Sequence, residues 1–140
     1  MAGKPDFKVK VVKAWPAEEL VALYKAGGWW KDSYDPSGLP KLIRGSFAFA
    51  VAVDRATGRA IGMARTISDG ASDAYIQDMV VLPEFRRKGI GRALVEALIT
   101  RLRKKGVHWI GLIAEPGSDG FYEKLGFGPF KGRPKLYKMD

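Results

Sequence analysis

The sequence has no cysteine and a single histidine, His108. The first absence excludes disulfide frameworks, thiolate metal sites and cysteine nucleophiles. The second excludes multi-histidine metal clusters and histidine proton relays, so no metal is expected. No apolar run approaches the ~18 residues that cross a bilayer. Between Met1 and Lys13, Lys4, Lys8 and Lys10 interrupt any signal-peptide-like stretch. No repeat, low-complexity tract or long linker divides the 140 residues, which reads as one domain spanning residues 1–140. A reducing, cytoplasmic setting is the expectation. Acidic residues are few beside basic ones: 15 Asp and Glu against 24 Lys and Arg, a net charge of +9. Such a chain attracts anions, whether nucleic acid, acidic membrane surfaces or phosphorylated small molecules. Arg86 to Lys105 alone holds eight basic residues against one acid, Glu96. That run equally suits a solvated helix face. No nucleic-acid motif accompanies it and no aromatics interleave with it, so neither nucleic acid nor a membrane is an expected partner.

What is present is a globular balance, 46% hydrophobic and 28% charged, long enough for one core. Phe7 to Ala14 alternates and is β-branched, which predicts a strand. Pro16 to Ala26 predicts a helix, with Glu18 and Glu19 in its first turn and Gly27 after its end. Gly27 to Arg44 reads as a loop plus a short helix. Phe47 to Val53 alternates large with small residues, and Ala60 to Ser68 returns after a turn, a hairpin. Ala74 to Leu82 is apolar on both faces apart from Gln77 and Asp78, the pattern of a central strand. Ile90 to Lys105 predicts an amphipathic helix ended by Gly106. Val107 to Ala114 reads as a strand, Asp119 to Leu125 as a short helix, and Phe127 to Met139 as one or two closing strands. The strands near 74–82 and 107–114 flank a helix, so a crossover makes them parallel, while the preceding hairpin is antiparallel. The expected fold class is α/β, a mixed sheet of six to seven strands flanked by about four helices.

The chemistry is concentrated where a strand passes through a glycine-containing loop into a helix: Val80, Val81, Leu82, Pro83, then Arg86-Arg87-Lys88-Gly89-Ile90-Gly91-Arg92. At a helix start, unpaired N–H groups and the positive end of the dipole converge on one point. Gly89 and Gly91 remove side chains that would block an anion, and Arg86, Arg87, Lys88 and Arg92 add charge. In physical terms this is a pyrophosphate cradle. It is not the dinucleotide fingerprint, because Leu94 stands at the third glycine position, and it lacks the Gly-Lys-Ser/Thr of a P-loop. Arg86-x-x-Gly89-x-Gly91 after a strand and proline instead resembles the acyl-CoA loop of the GNAT superfamily of N-acetyltransferases. A second segment, Phe121-Tyr122-Glu123-Lys124-Leu125-Gly126-Phe127, resembles that superfamily's segment before its closing strands. Gly62 to Asp69 and Ala74 to Val81 are similar to the plant and cyanobacterial serotonin (arylalkylamine) N-acetyltransferases.

The resemblance implies a GNAT fold and acetyl-CoA as co-substrate, lying between two parallel strands that part. Backbone groups of Met79, Val80 and Val81 would pair with the pantetheine arm. N–H groups of Arg87, Lys88, Gly89, Ile90, Gly91 and Arg92 would hold the pyrophosphate. Tyr122 is the implied general acid for the departing sulfur, against the plainer reading of a packed tyrosine. Asp78 is the candidate general base, against the alternative of a buried carboxylate pairing with Arg65; Asp69, Asp73 and Glu115 stand in reserve. Many family members carry an asparagine before the last helix. Here Pro116-Gly117-Ser118-Asp119 replaces it, with Ser118 or Asp119 as substitutes. Trp29, Trp30 and Tyr34 fall where the superfamily shapes its acceptor site, and equally suit a hydrophobic plug. His108 reads as structural. Three functions follow as expectations: acetyl transfer to a small primary amine such as an arylalkylamine, acetylation of a protein or peptide amine, or acyl-CoA binding without turnover. A homodimer is an expectation of the resemblance alone.

Overall fold

In the computed structural model, residues 6–137 are described. Strand β1, Phe7–Val11, leads to helix α1, Ala17–Ala26, and a 3₁₀ turn at Pro36–Gly38 precedes helix α2, Leu39–Gly45. Strands β2 (Ala48–Asp54), β3 (Ala60–Ser68) and β4 (Asp73–Val81) follow, then helix α3 (Ile90–Lys104), strand β5 (Trp109–Leu112) and helix α4 (Asp119–Glu123). The sheet order is β1-β2-β3-β4-β5. The first four strands run antiparallel and β5 runs parallel to β4, the consequence of the α3 crossover.

The alternation in β2 sets the two layers. Phe49, Val51 and Val53 pack with Leu20, Leu23 and Tyr24 of α1 and Ile43 of α2. Ala48, Ala50 and Ala52 face the other way, against Ile90, Leu94 and Leu98 of α3. Small residues on that face let α3 settle close to the sheet. Gly62 extends the reason to β3, because a Cβ there would stand 3.1 Å from Leu94 Cδ1 and 3.3 Å from Ile90 Cγ2.

Two expectations need correction. The sheet has five strands among the described residues rather than six to seven. The segment expected to supply closing strands, Phe127 to Met139, forms none through residue 137, and its last two residues lie outside the described ones. Pro129 and Pro134 cannot donate to a ladder, and Gly128 and Gly132 weaken an extended run, so no continuous strand forms there. Second, β4 is not buried on both faces. Tyr75 is 46% exposed and Gln77 is also exposed. Helix α1 leaves this end of the strand uncovered, and the opening becomes the floor of the site.

Candidate active site

The site begins with a defect in β4. Across the ladder, Met63 faces Val80 and Arg65 faces Gln77, so Asp78 and Met79 together oppose Ala64 alone. Asp78 has φ +57°. A bulge with its extra residue in the left-handed region bends its strand, and aspartate is one of the few residues with a side chain short enough to adopt it. On the other side, β5 pairs only with Asp73 to Ile76. Beyond Ile76 the parallel strands share no ladder, and the edge of Gln77 to Val81 that faces β5 has no strand partner among the described residues.

The bulge is clamped. Asp78 Oδ2 accepts from Tyr24 Oη at 2.7 Å and from Arg65 Nε at 2.6 Å. Arg65 also donates to Ser46 Oγ at 3.4 Å and to Gln77 Oε1 at 3.4 Å. The Arg65 and Asp78 side chains are 16% and 21% exposed, so solvent screens this pair only partly. Burial, followed by the negative charge and hydrogen bond of Asp78, drives the Tyr24 phenol well above its ordinary value. A tyrosine on the buried face of α1 needs a partner for its hydroxyl, and the bulge supplies one.

At the mouth of the parting strands lies a cavity of about 380 Å³, lined by Trp29, Tyr75, Gln77, Asp78, Met79, Glu115, Ser118 and Tyr122 among others. Tyr122 comes from α4. Its ring packs edge-on against Phe121, centroids 4.9 Å apart, and Phe127 at 5.8 Å. Burial, then the charge of Glu115, raises its phenol above the ordinary 10.0. The group therefore stays protonated at neutral pH, the state a proton donor needs. Trp29 Nε1 donates to Glu115 Oε1 at 3.3 Å, tying the loop after α1 to the loop after β5.

The glycine loop joins the end of β4 to the start of α3. After a 3₁₀ turn at Pro83–Phe85, Arg86 Nε donates to the carbonyl of Val81 at 3.0 Å, anchoring the loop to the end of β4. Arg87 and Gly89 both have positive φ, +62° and +83°. No side chain caps α3, so its first N–H groups have no side-chain partner. A Cβ at Gly89 would meet nothing within 4 Å, so the space before the helix is open. Gly91 does something else. A Cβ there would lie 3.2 Å from Phe121 Cζ and 3.5 Å from Met79 Sδ, so this glycine admits α4 against α3 rather than clearing a path for an anion.

The structure thus gathers Trp29, Asp78, Met79 and Tyr122 around one cavity. Val80, Val81 and Ile90 are core side chains that offer the site only backbone. Arg92 forms an exposed pair with Glu96 at 2.8 Å, and Lys88 lies over the Phe85 ring at 5.8 Å. Trp30 and Tyr34 do not reach the lining: Trp30 packs against Tyr24, and Tyr34 stacks edge-on upon Trp30. His108 precedes β5 outside the cavity. Sequence reasoning missed Tyr75 as a lining residue and Tyr24 as the partner of Asp78. The signal for Tyr24 was present, a phenol on a helix face otherwise made of leucine.

The profile of the acetyltransferase (GNAT) family matches residues 12–127. The chain belongs to this family. Seventy of its residues are 47% identical to serotonin N-acetyltransferase 2, chloroplastic, of rice (Oryza sativa subsp. japonica), covering 50% of this chain and 35% of that protein. A further 44% identity over 69 residues relates it to a soybean (Glycine max) protein named histone acetyltransferase TAP1, covering 49% of this chain and 30% of the other. The chain spans between a third and a half of the length of the first such relatives. Among solved structures, a GNAT-family acetyltransferase from Streptococcus pneumoniae superposes with a TM-score of 0.77 at 24% identity, over 96% of this chain and 100% of that one, which shows the shared fold. GNAT acetyltransferases use acetyl-CoA. Among the described residues no group of three or more histidine, aspartate and glutamate side chains is arranged to hold a metal ion, and no helix is long and apolar enough to cross a membrane.

Proposed function

We propose that this chain is an N-acetyltransferase that moves the acetyl group of acetyl-CoA to the primary amine of a small acceptor, an arylalkylamine or a similar compact amine, by direct attack in a ternary complex. The observation that carries the reading is a juxtaposition. Met79 and Tyr122 line the cavity between β4 and β5, the edge of β4 beyond Ile76 has no strand partner among the described residues, and the uncapped start of α3 lies close by, a Cβ at Gly91 standing 3.5 Å from Met79 Sδ and 3.2 Å from Phe121 Cζ. A diphosphate suits the helix start, an extended amide-bearing arm the strand edge, and a thiolate leaving group the Tyr122 hydroxyl. With no cysteine to carry the acetyl group, the amine attacks the thioester directly.

In this reading Arg86, Arg87 and Lys88 draw the phosphorylated carrier to the loop, and backbone N–H groups from Arg87 to Arg92 hold its diphosphate. Met79, Val80 and Val81 orient the arm as an added strand would. Tyr122 donates its proton to the sulfur as the carbon–sulfur bond breaks. An acceptor amine arrives mostly as an ammonium and must lose a proton before attack. Two carboxylates line the cavity, Asp78 and Glu115. Trp29 offers an aromatic wall for the acceptor body.

The test is thiol release from acetyl-CoA across arylalkylamines, alkylamines, polyamines, aminoglycosides and peptide amines. Turnover of a small amine supports the reading, and silence across the panel overturns it. The name of the soybean relative favours a second reading, transfer to a protein or peptide amine. Turnover of histone-tail peptides alone would decide for it. Tight acetyl-CoA binding by calorimetry without any turnover would mark a non-catalytic binding domain. The reading further places the protein in the cytoplasm, on its lack of cysteine, and as a homodimer, on the resemblance. Fractionation checks the first and light scattering the second.

A further inference from the structure

The chain carries +9 overall, yet the cavity lining includes two carboxylates and neither lysine nor arginine. The carboxylates differ. Asp78 Oδ2 already accepts from Arg65 and Tyr24, within a bulge held at positive φ, and its charge is balanced by Arg65. Glu115 has no cationic partner among the described residues. Its Oε1 accepts one hydrogen bond from the Trp29 indole, and the residue is exposed at the cavity rim. It therefore contributes the uncompensated negative charge of the lining, beside an aromatic side chain and in contact with water.

We propose that Glu115 is the acceptor-side carboxylate: it receives the ammonium of the incoming amine beside Trp29 and takes its proton, whereas Asp78 is a positioning residue that holds the bulge. The inference rests on the N-acetyltransferase reading. The steps balance. An ammonium N–H bond breaks and a Glu115 O–H bond forms, and exposure lets that proton pass to bulk water. The freed nitrogen lone pair forms the carbon–nitrogen bond, and the carbon–sulfur pair leaves with the sulfur. Tyr122 protonates the sulfur and regains a proton, through water, from the nitrogen that has become an amide. The combination selects cationic amines with an apolar body, because a carboxylate and an indole attract both parts. It disfavours acidic acceptors, despite the basic surface.

The experiment compares wild type, Glu115→Gln, Glu115→Asp and Asp78→Asn with two nearly isosteric acceptors at pH 7.5. One is 2-phenylethylamine, charged at that pH. The other is 2,2-difluoro-2-phenylethylamine, whose fluorines leave its nitrogen largely uncharged. Glu115→Gln should lower kcat/KM at least 30-fold for the first and less than 5-fold for the second. Glu115→Asp should recover part of the loss. Calorimetric titration of 2-phenylethylamine in the presence of CoA should show at least 10-fold weaker binding to Glu115→Gln, while CoA affinity stays unchanged. Asp78→Asn should depress both acceptors alike. Equal losses on both acceptors in Glu115→Gln, or no loss, overturn the assignment while leaving the acetyltransferase reading intact. A wild type that binds CoA but acetylates neither acceptor, nor any amine of the wider panel, overturns both.

Discussion

Removing the Tyr24 hydroxyl tests whether the bulge in β4 is held by a three-residue clamp. In Tyr24→Phe the ring keeps its place against Leu20 and Leu23, but Asp78 loses the 2.7 Å bond to its Oδ2. A hydrogen bond to a charged group contributes about 1.5–3 kcal/mol. Arg65 still neutralises Asp78, so the lower end applies, about 1.5 kcal/mol. A chain of 140 residues loses about 4 °C of Tm per kcal/mol, so the melting point should fall by about 6 °C. Arg65→Met is harsher, because it leaves Asp78 charged, 21% exposed and without its cation. Breaking a fully buried pair costs about 3–5 kcal/mol; partial exposure and the remaining Tyr24 bond reduce this to about 2–3 kcal/mol, or about 10 °C. The pH dependence distinguishes a clamp from mere packing. The folded Tyr24 phenol titrates above the unfolded one, so its stabilising contribution is complete below pH 10.0 and drains away as pH climbs from there towards the folded value. Tyr122 is raised in the same direction and contributes a smaller decline of its own. Wild type should therefore lose stability steeply above pH 10, and Tyr24→Phe should lose it less steeply. Calorimetric melts from pH 7 to 11 measure both effects. A Tyr24→Phe protein that melts within 1 °C of wild type, with the same alkaline decline, refutes the clamp.

The site makes other commitments. Tyr122→Phe should lower kcat by 10²–10⁴ while CoA affinity by calorimetry stays within about twofold, since a proton donor is lost and the cradle is not. Gly89→Val points into open space at φ +83°, so it should cost about 1–2 kcal/mol of stability and weaken acetyl-CoA binding at least tenfold. Gly91→Val should instead press on Phe121, costing about 1–3 kcal/mol, and Phe121→Leu should restore much of the lost melting temperature. Trp29→Leu should raise KM for the amine with little change in Tm, and Trp30→Leu the reverse, because only Trp29 lines the cavity.

Those last two residues show where sequence reading stopped. Neighbouring tryptophans in a glycine-rich loop look alike on paper, and which one enters a site depends on the chain direction after Gly28, which has φ +80°. The large–small alternation of β2 was legible because a period of two maps directly onto the two sheet faces. The passage from strand to helix around Arg86 to Gly91 was legible because Pro83 stops the strand and a helical period begins at Ile90, whereas the close approach of Phe121 to Gly91 was not. The bulge was not. Nothing in Gln77-Asp78-Met79 announces an extra residue in a ladder, since register belongs to the pair of strands rather than to either one. Asp78 consequently stood out as a polar residue in an apolar strand, but its partner on α1, 54 positions earlier, could not be read from spacing. The closing strands were overread: Pro129, Pro134, Gly128 and Gly132 interrupt any continuous strand between 127 and 137.

Charge gives the site its direction. The basic residues of the loop, Arg86, Arg87 and Lys88, stand at the start of α3, where the helix dipole is positive too, so the fields add for a polyanionic carrier. The carboxylate of Glu115 sits at the rim of the cavity, on the loop that follows β5. On the acetyltransferase reading proposed above, opposite charge at the two approaches sorts the ligands before any contact is made. On that reading the anionic carrier is drawn to the helix and the cationic amine to the rim. Screening makes this sorting salt-dependent, with a reach of about 8 Å at physiological ionic strength. Raising salt should therefore raise KM for acetyl-CoA and for a cationic amine together, while KM for an uncharged acceptor stays level. Steady-state kinetics from 20 to 500 mM potassium chloride measures this, and an equal response of charged and uncharged acceptors would refute a charged entrance on the amine side.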